Sequence, residues 1–81
     1  MTDEEIKRII VQVVANSADI DTEDVSAEHD LIQDLNMDSL SVYEIVVDLE
    51  AAFDMQISDE DVERLHTVDD IANYVANRMK K

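Results

Sequence analysis

The sequence predicts an all-α protein, a four-helix bundle with a long first loop and a short third helix, formed as one domain over residues 1–81. Three observations lead there. The chain has no Gly and no Pro, whereas the tight turns of sheet proteins normally use both. Apolar residues recur at helical rather than alternating spacing. A capping residue stands in front of each apolar run, at Thr2, Asp38, Ser58 and Thr67. There is no Trp, and the aromatic residues are Tyr43, Phe53 and Tyr74, so Ile, Val, Leu and Ala must fill the core. At 81 residues the chain supports one modest core and is too short for a deep two-lobed enzymatic cleft.

The elements follow in order. Thr2 and Glu5 form a capping-box pattern, and Ile6, Ile9, Ile10 and Val13 then mark one helical face, which predicts a first helix over residues 3–16. The polar side chains of residues 16–21 are expected to end it by bonding their own backbone. Residues 17–37 make a long connection, and such loops are normally functional or hold a short element of their own. Residues 22–25 offer one helical turn, while Ile20, Val25, Leu31, Ile32 and Leu35 are expected to anchor the loop on the bundle.

Asp38 is suited to accept from the unpaired amides of the following turn, which puts Ser39 at the first position of the second helix. Val42, Ile45, Val46, Leu49 and Phe53 mark its inner face to about residue 53. Leu40, Glu44, Val47, Asp48 and Ala51 fall on the opposite side, a stripe of apolar residues among acids suited to docking. Ser58 is expected to cap a short third helix over residues 59–65, whose early acids suit the helix dipole. Thr67 caps the fourth, with Asp70 as a shorter stand-in for the Glu of a capping box and with Val68, Ile71, Ala72, Val75 and Met79 inward. Arg78, Lys80 and Lys81 complement the dipole at its end.

Charge and cysteine usage exclude several functions. The formal net charge is −15, and no basic side chain occurs between Arg8 and Arg64. Charge of this sign and density steers basic protein partners to the middle of the domain and argues against nucleic acid as a direct ligand. The chain has no Cys, so a disulfide framework and a thiolate metal site are both impossible and any thiol must arrive on a cofactor. The start is acidic where a secretory signal is basic and then apolar, and the apolar runs are too short to span a bilayer. The expectation is a reducing cytoplasmic compartment without membrane insertion.

The candidate site is Ser39. A hydroxyl on the first turn of a helix, with no catalytic base nearby in sequence, suits carriage of a phosphate-linked group better than attack on a substrate. A serine nucleophile needs a base held by an orienting group, and no Gly-x-Ser-x-Gly elbow is present. Asp19, Asp21, Glu23 and Asp30 have a spacing like that of a calcium loop, but Asp24 stands where that motif needs Gly. Loose divalent association among Asp59, Glu60 and Asp61 fits the acid density better. His29 and His66 have no second ligand at helical or finger spacing and read as surface residues.

From about residue 25 to 75 the chain resembles the acyl carrier protein family, whose signature is an Asp-Ser-Leu triplet after a Leu-Gly turn and before an acidic helix. Here Leu35, Asn36 and Met37 precede Asp38, Ser39 and Leu40. Ala52-Phe53-Asp54, then Ile57-Ser58-Asp59-Glu60-Asp61, then Thr67-Val68 follow at the family spacing. The resemblance implies that Ser39 is esterified by 4′-phosphopantetheine, transferred from coenzyme A by a separate holo-carrier synthase. The arm's thiol then holds acyl chains as thioesters for a non-catalytic shuttle, expected to be a monomer, between fatty acid or related lipid biosynthesis enzymes. It also implies that acyl-processing enzymes with basic surfaces dock on Asp38, Leu40, Glu44, Val47 and Asp48.

The chain departs from the family pattern at three points. Asn36 replaces a Gly, and Asn is the residue next best able to take a left-handed conformation. Ser58 replaces a Pro, exchanging rigidity for a cap. Val62 and Ile71 are bulkier than usual, so the cavity between the second, third and fourth helices is expected to be partly filled and to shelter long acyl chains poorly. Two alternatives stay open on sequence: a specialised carrier for polyketide, amino-acyl or cell-surface modification pathways, and an acidic helical adaptor without a prosthetic group.

Overall fold

The computed structural model describes residues 2–79. Helix α1 spans Asp3–Ala18, α2 Ser39–Phe53, α3 Asp59–Val62 and α4 Val68–Met79, with a single 3₁₀ turn at Thr22–Asp24 in the first connection. Among the described residues there is no strand, only an isolated antiparallel bridge between Asp30 and Thr67. The basic residues Lys80 and Lys81 expected at the end of α4 lie outside the described residues.

Helix α1 begins with the predicted capping box: the Glu5 N–H donates to Thr2 Oγ1 at 3.2 Å and the Thr2 N–H to Glu5 Oε1 at 3.0 Å. It runs past residue 16, the end that the sequence predicts, to Ala18. Ala15 is buried and Ala18 packs against the core, so tertiary contact outweighs the local competition from Asn16 and Ser17. The helix stops at Asp19, in the left-handed region at φ 59°. The Ile20 N–H reaches back to the Ala15 carbonyl at 3.0 Å, the bond of a Schellman cap. Asp54 ends α2 in the same way at φ 51°, with the Met55 N–H on the Glu50 carbonyl at 3.2 Å.

The long connection is fastened at defined points. Asp30 Oδ1 accepts from the amides of Ile32 and Gln33, while the Asp30 N–H donates to Asp34 Oδ2 at 2.8 Å, which closes residues 30–34 into a capped turn. Leu31 is fully buried; its N–H donates to the His66 carbonyl at 2.9 Å, and the Asp69 N–H donates to the Ala27 carbonyl at 3.0 Å. Ile32, expected as an anchor, is instead 53% exposed: the capped turn sends neighbouring side chains to opposite sides, and Leu31 takes the core position. Asn36 sits at φ 59°, so the turn before α2 uses the left-handed conformation expected of it. Asn36→Ala is expected to cost about 1 kcal/mol and Asn36→Gly to stay within a few tenths, since Gly meets no steric penalty there. Denaturant melts of the two variants check the order.

Helix α3 is shorter than the predicted 59–65. Ser58 caps it as expected, accepting from the Asp61 N–H at 3.2 Å. After Val62 the chain tightens into i→i+3 bonds, Arg64 N–H to the Asp61 carbonyl and Leu65 N–H to the Val62 carbonyl, and this turn carries Leu65 into the core. Helix α4 opens on a reciprocal box, Asp70 N–H to Thr67 Oγ1 at 3.0 Å and Thr67 N–H to Asp70 Oδ2 at 3.2 Å. Val68, Ile71 and Val75 are buried as expected, but Met79, the last residue of the helix, is 39% exposed.

Helix α1 packs against both α2 and α4, and Ile10, Val14, Ile45, Leu49, Val68 and Val75 meet where they join, each with no exposed surface. The Cα radius of gyration is 11.4 Å, near the ~12 Å of a compact chain of this length. Among the described residues no polar or charged side chain is buried, which leaves the acidic side chains at the surface, where salt screens them. Added magnesium or monovalent salt is therefore expected to raise the melting temperature. Flat or falling melts across an ionic-strength series would contradict this.

Candidate functional site

Ser39 is the first residue of α2 and its side chain is exposed. Asp38 precedes it in extended conformation and caps the helix, Oδ1 accepting from the Ser41 N–H at 2.9 Å. That bond, first among the causes, holds the Asp38 carboxyl below its ordinary value. Asp30 is lowered likewise by the Gln33 and Ile32 amides, and Glu5 by Thr2. Groups whose pKa falls on folding add stability that is complete above their unfolded values and is lost as pH drops through the folded ones.

A carboxylate so held is a poor general base. His66 lies on the rim of the same cleft as Ser39, yet among the described residues no hydrogen bond joins them. Among the described residues Ser39 thus has no activating hydrogen-bond partner. Among the described residues no group of three or more His, Cys, Asp or Glu side chains is arranged to hold a metal ion; Asp61, expected to share in loose divalent association, accepts the Tyr74 hydroxyl at 2.6 Å. His29 is half-buried rather than a plain surface residue, its Nδ1 accepting from the Ser26 N–H at 3.2 Å.

Ser39 lines one of two surfaces that share Tyr43, and its neighbour Leu40 lines the other. On one side is a cleft of about 290 Å³ with Leu31, Val42, Val62 and Leu65 as its apolar lining and Asp30, Glu63 and His66 as polar lining; Ile32 and Tyr43 complete it. On the other, Leu40, Glu44, Val47 and Asp48 come together along a shallow groove between α2 and Asn16 and Ser17 of α1. Leu40 and Val47 are 72% and 60% exposed. Asp38 lies outside this groove, its carboxylate turned to the helix cap.

Sequence reasoning did not single out Tyr43, which is 45% exposed and belongs to both surfaces. A signal was available, since Tyr43 stands one turn beyond Ser39 and so shares its side of the helix. Ile32 and His66 carried no such signal, because the folding of the loop brings them to the cleft.

Among the described residues no helix is long and apolar enough to cross a membrane. Residues 8–75 match the family model described as the phosphopantetheine attachment site. An acyl carrier protein from Syntrophobacter fumaroxidans is 46% identical over 67 residues, covering 83% of each chain. One from Exiguobacterium is 40% identical over 79 residues, 98% of this chain and 100% of that one. Among solved structures, an acyl carrier protein from Enterococcus faecalis superposes with a TM-score of 0.80 at 38% identity, covering 95% of this chain and 98% of its own. The capped helix start, the helical order and these likenesses agree: the chain belongs to the acyl carrier protein family, carriers of acyl groups with a phosphopantetheine prosthetic group.

Proposed function

We propose that Ser39 is the residue that bears 4′-phosphopantetheine, and that the chain is a non-catalytic carrier serving fatty acid or related lipid biosynthesis in the cytoplasm. The observation that carries this reading is the exposure of Ser39 at the first residue of α2, between an apolar cleft and an exposed helix face. The residues fit the group. Asp38 takes the Ser41 amide and draws on that of Leu40 as well, so a phosphodiester on Ser39 meets chiefly the Ser39 amide and the positive end of the helix, an attraction of about 0.3–1 kcal/mol at an exposed site. When bound, the arm supplies the thiol that a cysteine-free chain lacks. The apolar floor of the cleft takes the start of an acyl chain away from water, and the buried Val62 beside it limits the depth. With no base on Ser39, the chemistry of loading and elongation belongs to the partner enzymes.

Those partners dock by charge and shape. Glu44 and Asp48 meet Arg and Lys on the enzymes, while Leu40 and Val47 enter shallow apolar pockets; Asp38 adds to the local field. Exposed ion pairs contribute only about 0.2–1 kcal/mol each, which suits weak, steered and short-lived encounters. The strong negative charge also keeps copies of the chain apart, favouring a monomer. Glu44→Lys is expected to slow loading by a basic synthase several-fold at low salt and to lose that effect as ionic strength rises. Loading rates measured across a salt series check it.

The test of the function is intact mass after incubation with coenzyme A and a phosphopantetheinyl transferase. A gain of one arm is expected. No gain with transferases of several specificities would leave an acidic helical adaptor as the better reading.

A further inference from the structure

Helix α3 is four residues long, too short to be stable by itself. Among the described residues α3 makes no backbone approach to another helix comparable to those of α1 with α2 and α4; its Val62, with Ile57 before it and Leu65 after it, is buried in the common core. Those buried side chains and several hydrogen bonds along its segment set its position. Before it, the Ile57 N–H donates to Glu50 Oε2 at 2.8 Å and Arg78 Nη2 to the Gln56 carbonyl at 2.6 Å. After it, the Leu31 N–H donates to the His66 carbonyl at 2.9 Å. In the middle, the Tyr74 hydroxyl of α4 donates to Asp61 Oδ2 at 2.6 Å. Among the described residues this is the side-chain hydrogen bond that joins α3 itself to another helix.

The bond is built to be firm. Its acceptor is a carboxylate, which makes it charge-assisted and short. Arg78 holds the tyrosine ring from its face, with Cζ 5.2 Å from the centroid. The residues that follow Asp61 are the ones that wall the cleft beside Ser39: Val62, Glu63 and Leu65. The cleft, at about 290 Å³, lies at the small end of ligand sites.

We propose that Tyr74 is a positioning residue that sets the capacity of this cleft, by tying its α3 wall to α4 through Asp61. The proposal deepens the carrier reading above and rests on it for the nature of the cargo. With the tie in place Val62 and Leu65 stay inward and the cleft takes a short acyl chain. Without it α3 loosens between the attachments at its two ends, and the cleft accepts a longer one. The device needs no contact between Tyr74 and the acyl group.

The test uses Tyr74→Phe, which keeps the ring and its contact with Arg78, and Asp61→Ala, which removes the acceptor from the other side. In unloaded protein, amide exchange at Val62, Glu63 and Leu65 is expected to quicken about tenfold, the factor for loss of a charge-assisted hydrogen bond, with the core of α1 unchanged. In protein loaded with a series of acyl chains, the length at which the gain in melting temperature levels off is expected to move to longer chains in both variants, and no further in the double variant than in either alone. A uniform fall in melting temperature with the levelling point unmoved makes Tyr74 merely structural and overturns the proposal. Unchanged exchange at residues 62–65 overturns it too. If no arm can be loaded on wild-type protein, the carrier reading falls instead, and the exchange data on the unloaded chain still decide whether the tie holds α3.

Discussion

A Ser39→Ala chain is expected to gain no mass with any phosphopantetheinyl transferase and to melt where the wild type does. The first half follows from chemistry: esterification needs the hydroxyl, and Ser41, the next hydroxyl in α2, is half-buried with its amide held by Asp38. The second half follows from position. Ser39 is exposed, caps nothing and stands at the first helical residue, where Ala is well tolerated and the change is expected within about 0.5 kcal/mol. A Ser41→Ala control keeps full loading. Loss of loading in a chain that had also unfolded would say nothing about the site, so intact mass and the thermal melt belong together. A residual mass gain in Ser39→Ala would move the attachment to another residue.

Ile10→Ala is expected to be the most damaging change to the fold, by about 2–5 kcal/mol. Ile10 has no exposed surface and lies on α1, the helix that packs on both α2 and α4, so the void opens on the seam common to all three. Domains of this size hold only about 5–15 kcal/mol in total, and this one also bears the repulsion of a net charge of −15. A fall in melting temperature of some 10–30 °C is expected, partly recovered by salt. Ile32→Ala, at an exposed position on the loop, is the contrasting control and is expected to shift the melt little. Equal melts for the two variants would show that the core is not organised around α1.

Much of the candidate site was legible because its causes are local. The Asp38 cap bonds an amide three residues on, the Thr2 and Thr67 boxes close over the same distance, and the outward stripe of Leu40, Glu44, Val47 and Asp48 is a matter of helical period. Such interactions involve residues a few positions apart, so the order of residues carries them. The left-handed turn at Asn36 does not belong here: it is expected only from the family resemblance, in which Asn stands for a Gly, and the other left-handed residues are Asp19 and Asp54 while Asn16, Asn73 and Asn77 are not among them.

The cleft was not legible in this way. It joins Ile32 of the loop, Ser39 and Tyr43 of α2, Val62 beside the tie to Tyr74, and His66 of the turn before α4. These are brought together by the Leu31–His66 and Tyr74–Asp61 bonds, whose partners lie far apart in the chain. The same holds for the ends of elements: α1 continued past residue 16 because Ala15 and Ala18 found the core, and α3 stopped at Val62 because the chain had to turn Leu65 inward. Local spacing alone thus settled which residue is displayed at the start of α2 and which helix faces are apolar. The wall, depth and rim of the space beside that residue came only from long-range packing, because the energy of a buried contact or hydrogen bond depends on meeting in space and leaves no mark at either partner's place in the sequence.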